Sequence, residues 1–204
     1  MTQAEGKIAV VAGATGLVGR ELVRQLCANP AYKSVIALTR KQDEKLAAVS
    51  NGKLTMNPLP KGQEMLSCDE FYCALGTTIN TAGSREAFRA VDHDLVVDLA
   101  TRARNGGVKR VAVVSAIGSD ANSKIFYSRV KGEMERDLKA LGIPRLDIYH
   151  PSILLGDRTE NRPGERIGIV IAKVIAPLLG GTLAKYKPIH ARDLAGLMIA
   201  GLGV

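Results

Sequence analysis

Short apolar runs alternate along the chain with longer segments in which apolar residues recur every three to four positions. Residues 8–12 form an unbroken apolar run, which is typical of a strand buried on both faces of a parallel sheet. Val18, Leu22 and Leu26 then follow at the spacing of a helix. Because strands and helices alternate in this way toward the C-terminus, the sequence predicts an α/β fold with a doubly wound parallel sheet.

The same pattern predicts the bounds of the remaining elements. Pro58 and Pro60 limit the pairing of the third strand, so we expect it at the edge of the sheet. With 204 residues, the chain is expected to form one domain over residues 1–204. The further strands are predicted at residues 35–38, 53–59, 71–75, 110–115, 146–149 and 187–190, and the further helices at residues 42–50, 85–104, 124–141 and 191–202.

A glycine-rich loop joins the first strand to the first helix. Its glycines form a G-x-x-G-x-x-G motif, and glycine allows both a tight turn and the close approach of a pyrophosphate to the backbone. The alternative is an ordinary strand-to-helix turn with packing glycines. The strand–turn–helix context favours dinucleotide binding. The residues expected to contact the cofactor are Gly13, Thr15, Gly16, Leu17, Val18 and Gly19.

Two basic residues follow the second strand, where a dinucleotide-binding fold meets the adenosine ribose. An acidic residue at this place binds the 2′-hydroxyl of NAD, whereas a basic residue accommodates the 2′-phosphate of NADP. Arg40 and Lys41 occupy the position and no carboxylate does. Although a solvated charge pair is the simpler interpretation, we expect NADPH rather than NAD, because a guanidinium suits phosphate.

The fourth strand is predicted to end at Leu75, before Gly76. A glycine there lets the chain pass close to a cofactor, or it marks an ordinary turn at the end of a strand.

Three polar residues are expected to meet at the carboxyl edge of the sheet. Ser115 ends the fifth strand, and Tyr127 and Lys131 lie one turn apart on the next helix. The ammonium of Lys131 is expected to lower the pKa of the Tyr127 phenol. Tyr127 can then protonate a substrate carbonyl oxygen that Ser115 also contacts, while hydride reaches the carbon. Each residue alone is more typical of a structural role, but together they predict a catalytic site.

These motifs resemble those of the short-chain dehydrogenase/reductase superfamily. The GATGLVG loop, Ser115 and the Tyr-Ser-Arg-Val-Lys segment at 127–131 carry the resemblance. CALGTT at 73–78, VDHDLV at 91–96, HPSILLGDR at 150–158 and RPGE at 162–165 are similar to the atypical branch of Tat-interacting-protein-like oxidoreductases. The resemblance implies a Rossmann fold, NADPH binding, and cofactor contacts from Lys131 and from Pro151, near the nicotinamide.

The chain departs from the superfamily pattern in two places. Many members carry an Asn in a proton relay, and the nearest candidate here is Asp92, so that relay is in doubt. The region after the sixth strand is short, and residues 157–187 are expected to form a small substrate-side region. Within it, residues 167–179 carry a wide apolar face that either packs on the domain or covers the edge beside Ser115 and Tyr127.

Composition narrows the possible partners. The net charge of +8 permits a nucleic-acid partner, but aromatic residues make up only 4% of the chain and the basic residues are scattered. Cys27, Cys68 and Cys73 indicate reduced thiols, and the polar N-terminus shows no signal peptide, so a cytoplasmic location is expected. No stretch is apolar enough to predict membrane insertion, and His93, His150 and His190 lack metal-ligand spacing.

Three classes of function follow. The first is an NADPH-dependent reductase of a carbonyl group in a small, apolar substrate. The second is a cofactor-bound regulatory protein with little catalysis, and the third is a nucleic-acid binder. The Ser-Tyr-Lys set favours the first class, and the fold alone does not distinguish among them. The chain is expected to be a monomer, or a homodimer formed through helices 85–104 and 124–141.

Overall fold

Six parallel strands form the sheet that organises the molecule. A computed structural model describes residues 6–49, 51–152, 154–155 and 188–203. The spatial order of the strands is β3-β2-β1-β4-β5-β6, which is the doubly wound order of dinucleotide-binding folds. The strands are β1 Lys7–Ala12, β2 Tyr32–Leu38, β3 Leu54–Asn57, β4 Glu70–Cys73, β5 Arg110–Val114 and β6 Leu146–Tyr149; a second, two-stranded parallel sheet pairs β7 Leu154–Leu155 with β8 Ile189–His190.

Helices cover both faces of the sheet. They are α1 Leu17–Ala28, α2 Glu44–Ala47, α3 Ile79–Ala82, α4 Arg85–Arg89, α5 Leu95–Asn105, α6 Phe126–Ala140 and α7 Ala191–Ala200, with a π-helical turn at Ala90–Asp94 between α4 and α5. No helix in the described ranges has the length and apolar character needed to cross a bilayer.

Alternate residues of β1 pack into different layers of the core. Ala9 and Val11 contribute to the layer that contains α1 and α7, whereas Val10 and Ala12 contribute to the layer that contains α5 and α6. Burial of both faces explains the unbroken apolar run, because neither side of the strand meets water. The Rossmann fold predicted from the sequence is therefore confirmed, with β3 at the edge of the sheet.

The helix predicted over residues 85–104 is present, but a π-helical turn interrupts it between α4 and α5. A π turn adds a residue and so rotates the helix that follows. Val96 and Leu99 of α5 are buried, whereas Leu95 is only partly buried. The same turn carries Asp92 into the interior, where it is 1% exposed.

Other predicted bounds differ by a few residues at element ends. The second strand begins earlier, at Tyr32, and the helix predicted at 42–50 is one turn long. The sixth strand has the predicted bounds. The predictions for 157–187 and for its segment 167–179 lie outside the described residues, so the role of that apolar face stays a prediction.

A buried polar cluster lies at the amino ends of the strands, opposite the carboxyl edge. Arg110 begins β5, and its guanidinium contacts the Asp147 carboxylate at 2.6 Å, the Glu70 carboxylate at 3.5 Å and the carbonyl oxygen of Ile199 at 3.3 Å. It also donates to the carbonyl of Met198. Arg110 therefore joins the sheet to the C-terminal end of α7, where unpaired carbonyls and the helix dipole favour a cation.

Candidate active site

Two glycines of the loop after β1 are required by the packing of the protein itself. Gly13 has a φ of +76°, and a Cβ on it would lie 2.5 Å from the carbonyl oxygen of Ala74. A Cβ on Gly19 would lie 2.0 Å from the carbonyl oxygen of Gly13. These positions correspond to the tight turn and the close helix–strand contact of a dinucleotide-binding loop.

The tip of the loop is open to solvent. Thr15 and Gly16 are exposed, and Gly16 caps α1 without a side-chain hydrogen bond to the helix. The first turn of α1 contains no acidic residue, so its N–H groups and positive dipole end favour an anion. Leu17 is partly exposed, whereas the side chain of Val18 is in the core, so Val18 can offer a cofactor only its backbone.

The end of β2 presents two exposed cations. Arg40 and Lys41 are exposed, and neither side chain forms a hydrogen bond or ion pair with a residue in the described part of the chain. The nearby carboxylate of Asp43 is engaged by Arg20 at 2.7 Å and caps α2. Partial burial opposes ionisation of Asp43, but the Leu46 N–H and Arg20 hold its pKa below the usual range.

The loop after β4 passes the same edge of the sheet. Gly76 is exposed, Leu75 is partly exposed, and the nearest atom to a Cβ on Gly76 would be Asp92 Oδ1, at 3.6 Å. The packing of the protein therefore leaves room for a side chain at position 76. Gly16 and Gly76 follow the carboxyl ends of the neighbouring strands β1 and β4, the edge at which dinucleotide-binding folds hold their ligand.

A row of polar side chains on α6 faces the interior. Tyr127, Lys131 and Glu135 follow one another at four-residue spacing, and Lys131 and Glu135 are buried. The Tyr127 ring packs on Phe88 of α4 with a centroid separation of 5.5 Å. Burial raises the pKa of Tyr127, and the charge of Lys131 only partly opposes this. Lys131 thus acts in the expected direction, but burial has the larger effect, so the pKa of Tyr127 is raised rather than lowered.

Lys131 pairs with Asp92, the residue that the sequence comparison placed nearest to the relay Asn. Its Nζ lies 2.8 Å from Asp92 Oδ1, and the two side chains are 4% and 1% exposed. Burial alone lowers the pKa of Lys131, but the Asp92 carboxylate offsets this and the pKa is raised. The other oxygen of Asp92 accepts a hydrogen bond of 2.8 Å from the N–H of Thr77. Asp92 thus joins the loop after β4 to α6.

The hydroxyl of Ser115 is engaged within the protein. It donates to Glu135 Oε1 and lies 3.1 Å from the hydroxyl oxygen of Ser119. Glu135 Oε1 also lies 2.9 Å from Nε2 of His150. Burial raises the pKa of Glu135, but the contacts from His150 and Ser115 hold it below the usual range. In the described residues, Tyr127 is thus influenced by the charge of Lys131, whereas Ser115 is hydrogen-bonded to Glu135.

Sequence reasoning missed Glu135 and His150. A carboxylate two turns after Tyr127 on the inward face of α6 was the available signal, because an acidic residue is rarely buried without a partner. His150 was rejected for lack of metal-ligand spacing, but it directly follows β6. Ser115 N donates to the Tyr149 carbonyl at 2.7 Å, which brings the ends of β5 and β6 together. Buried Pro151 lies at the same edge.

The fold and this edge define an atypical short-chain dehydrogenase/reductase-like NAD(P)-binding protein. The chain belongs to the family described as NAD(P)H-binding, whose family model matches residues 13–143. That range includes the glycine loop, Arg40, Asp92, Tyr127 and Lys131.

Curated fungal relatives match most of the chain. "Protein fmp52, mitochondrial" of Emericella nidulans is 36% identical over 189 residues, which cover 89% of this chain and 79% of the relative. "Protein FMP52, mitochondrial" of Candida albicans is 34% identical over 197 residues, which cover 93% and 85% of the two chains. Because such relatives are named mitochondrial, the expected cytoplasmic location is wrong; the relatives point to mitochondria.

Solved structures share the fold at low sequence identity. The reductase domain of PhqB from Penicillium fellutanum is 15% identical with a TM-score of 0.70, and the match covers 100% of this chain and 67% of that chain. A UDP-N-acetylglucosamine 4-epimerase from Methanobrevibacter ruminantium M1 is 18% identical with a TM-score of 0.69, and the match covers 96% of this chain and 72% of that chain. These similarities support the Rossmann architecture, and the family supports a nicotinamide cofactor.

Proposed function

We propose that the protein is an NADPH-dependent reductase that acts on the carbonyl group of a small, apolar substrate. The observation that carries this proposal is the pair of Tyr127 and buried Lys131, one turn apart on α6, at the carboxyl edge of a sheet whose first strand leads into a glycine loop. Membership of an NAD(P)H-binding family supports the cofactor class. The apolar character of the substrate rests on the sequence of residues 167–179 alone.

In this proposal Tyr127 is the proton donor. NADPH, when bound, supplies a hydride to the carbonyl carbon. The phenol of Tyr127 gives its proton to the carbonyl oxygen, and its raised pKa keeps that proton in place at neutral pH until charge develops on the oxygen. Lys131 then stabilises the phenolate that remains, since it is the cation that acts on Tyr127 within α6.

The role proposed for Ser115 requires a change of hydrogen bond. Its single proton is given to Glu135, so the hydroxyl must rotate away from that carboxylate before it can donate to a substrate oxygen. Glu135 keeps His150 as a partner when Ser115 turns away. The position of Ser115 directly after β5 supports a contact with the substrate, because ligands bind outside the carboxyl ends of the strands.

We expect NADPH to bind more tightly than NADH, and Arg40→Asp to narrow or invert that preference. Arg40 is exposed and unpaired within the described ranges, so its guanidinium is available for a 2′-phosphate, whereas an introduced carboxylate repels the phosphate. Calorimetric titration of both cofactors measures the ratio of the two dissociation constants. Lys61→Asp makes the same charge change on an exposed loop and should leave the ratio unaltered. Equal affinities in the unchanged protein would refute the NADPH assignment.

Gly16→Ala is expected to weaken NADPH binding by roughly tenfold or more while the protein still folds. The added Cβ would lie 3.2 Å from the Gly13 carbonyl oxygen, which a small shift relieves, but it would occupy the space in which a pyrophosphate approaches the loop. Thermal unfolding checks the fold, and calorimetry measures NADPH affinity. Gly19→Ala is the contrasting variant, since its Cβ overlaps backbone at 2.0 Å and should prevent folding. Unchanged affinity in a folded Gly16→Ala variant would place the pyrophosphate elsewhere.

A second candidate function is an NADPH-bound regulatory protein with little catalysis. Two contacts favour it: Asp92 already neutralises Lys131, and Glu135 already holds the proton of Ser115. Under this alternative, NADPH binds with the preference described above, but no carbonyl compound accelerates its oxidation. A panel of aldehydes, ketones and quinones distinguishes the two functions by the rate of NADPH consumption.

A further inference from the structure

The π-helical turn at Ala90–Asp94 carries a carboxylate into the most enclosed part of the site. Asp92 is 1% exposed and contacts two elements of the proposed catalytic edge, the backbone of Thr77 after β4 and the ammonium of Lys131 on α6. Since π turns interrupt regular helices at a cost and occur frequently at functional sites, the placement of an acidic residue there is informative.

The two oxygens of Asp92 have different environments. Oδ2 accepts a well-formed hydrogen bond from the Thr77 N–H. Oδ1 lies 2.8 Å from Lys131 Nζ, but it has no hydrogen bond of good geometry within the described part of the chain. The attraction between the two charges is strong, because both side chains are buried and solvent screens it little.

A single ammonium group thus has two possible anionic partners. Loss of the Tyr127 proton would create a phenolate on the same helix face as Lys131, while the Asp92 carboxylate already lies 2.8 Å from the Lys131 ammonium. The charged or titratable groups that act on Tyr127 are Lys131 from α6 and Asp92 from the π turn, and Cys73 from β4 also acts on Lys131. Phe88 of α4 contributes only an aromatic ring.

We infer that Asp92 is a positioning residue that competes with Tyr127 for the charge of Lys131 and so keeps the Tyr127 phenol protonated. The inference rests on the proposed reductase site. It adds that the side chain at position 127 begins each cycle as a proton donor rather than as a phenolate base. An uncharged residue at position 92 would release Lys131 to stabilise the phenolate. Asp92 therefore biases the site toward reduction of a carbonyl over oxidation of an alcohol.

Alkaline titration of tyrosinate absorbance tests this inference without a substrate. The absorbance of Tyr127 alone is obtained by subtracting the titration of a Tyr127→Phe variant from that of the same protein with Tyr127. This difference is measured once in the parent and once in the Asp92→Asn variant. Asn retains an oxygen to accept the Thr77 N–H but carries no charge. We expect the Tyr127 titration in Asp92→Asn to shift to lower pH by about one unit or more. Coincident Tyr127 titrations in the two backgrounds would overturn the inference.

A second variant keeps the test decisive if Asp92→Asn does not fold with Lys131 unpaired. Asp92→Asn combined with Lys131→Gln removes both charges, so their opposing effects on Tyr127 disappear together. We expect its Tyr127 titration to lie within about half a unit of the parent. A larger displacement would show that the two charges do not offset one another at Tyr127 and would overturn the inference.

A readout of activity separates this inference from the proposed function. If the titrations shift as expected and no carbonyl compound is reduced, the proposed function fails while the role of Asp92 in the protonation of Tyr127 stands. If a carbonyl is reduced but the titrations coincide, the proposed function stands and the role of Asp92 fails. In an active protein, Asp92→Asn should also move the alkaline limb of the turnover profile to lower pH.

Discussion

Tyr127→Phe is expected to lower turnover by roughly 10²-fold or more while leaving NADPH affinity nearly unchanged. The substitution keeps the ring that packs on Phe88 and removes only the hydroxyl, so the loss measures the proton that Tyr127 gives to the carbonyl oxygen. Steady-state rates on a substrate taken from a carbonyl panel, together with calorimetric titration of NADPH, provide the two quantities.

Tyr149→Phe is the matched control for this experiment. It also removes a phenol hydroxyl, but that hydroxyl lies 3.3 Å from the Leu197 carbonyl at the end of α7, away from the proposed catalytic row. We expect a small loss of stability and no large change in turnover. If Tyr127→Phe reduced the same substrate as fast as the parent, Tyr127 would not be the general acid.

Arg110→Met is expected to destabilise the protein by about 3–5 kcal/mol, because it removes one partner from a buried set of charges. The Arg110 side chain is 7% exposed, and its loss removes the buried cation that joins the Asp147 and Glu70 carboxylates to the carbonyls at the end of α7, while Arg145 and Lys7 still contact those carboxylates from more exposed positions. Urea unfolding followed by circular dichroism measures the change in the free energy of unfolding.

The neighbouring Lys109 provides the control. Its side chain is 80% exposed and pairs with Asp69 at 2.9 Å, so Lys109→Met should cost less than about 1 kcal/mol. If the two variants lost comparable free energies of unfolding, burial would not determine how much the Arg110 cluster contributes to stability.

Local patterns sufficed to predict the cofactor half of the fold. The apolar run of β1, the three glycines and the apolar stripe of α1 are adjacent in sequence, and each follows from sterics or burial within a short segment. The structure places Gly13 and Gly19 in contact with backbone, as that motif requires. Alternation of strands and helices was likewise enough to predict the parallel sheet.

The electrostatics of the site could not be predicted in the same way. Helical spacing placed Tyr127 and Lys131 on one face of α6, and the relay comparison pointed to Asp92, but neither showed that a π turn brings the Asp92 carboxylate to Lys131. The bond from Ser115 to Glu135 joins residues 20 positions apart, across a strand end and a helix. Such pairings depend on tertiary packing, as does the burial that raises the pKa of Tyr127.

Transfer of deuterium from NADPH labelled at C4 tests the central proposal most directly. The protein is incubated with each labelled face of the cofactor and a panel of aldehydes and ketones, and products are examined by mass spectrometry. We predict that one face delivers deuterium to the carbinol carbon of a reduced product, and that Tyr127→Phe suppresses this transfer by roughly 10²-fold or more. Tight NADPH binding without deuterium in any product of the panel would contradict the reductase function.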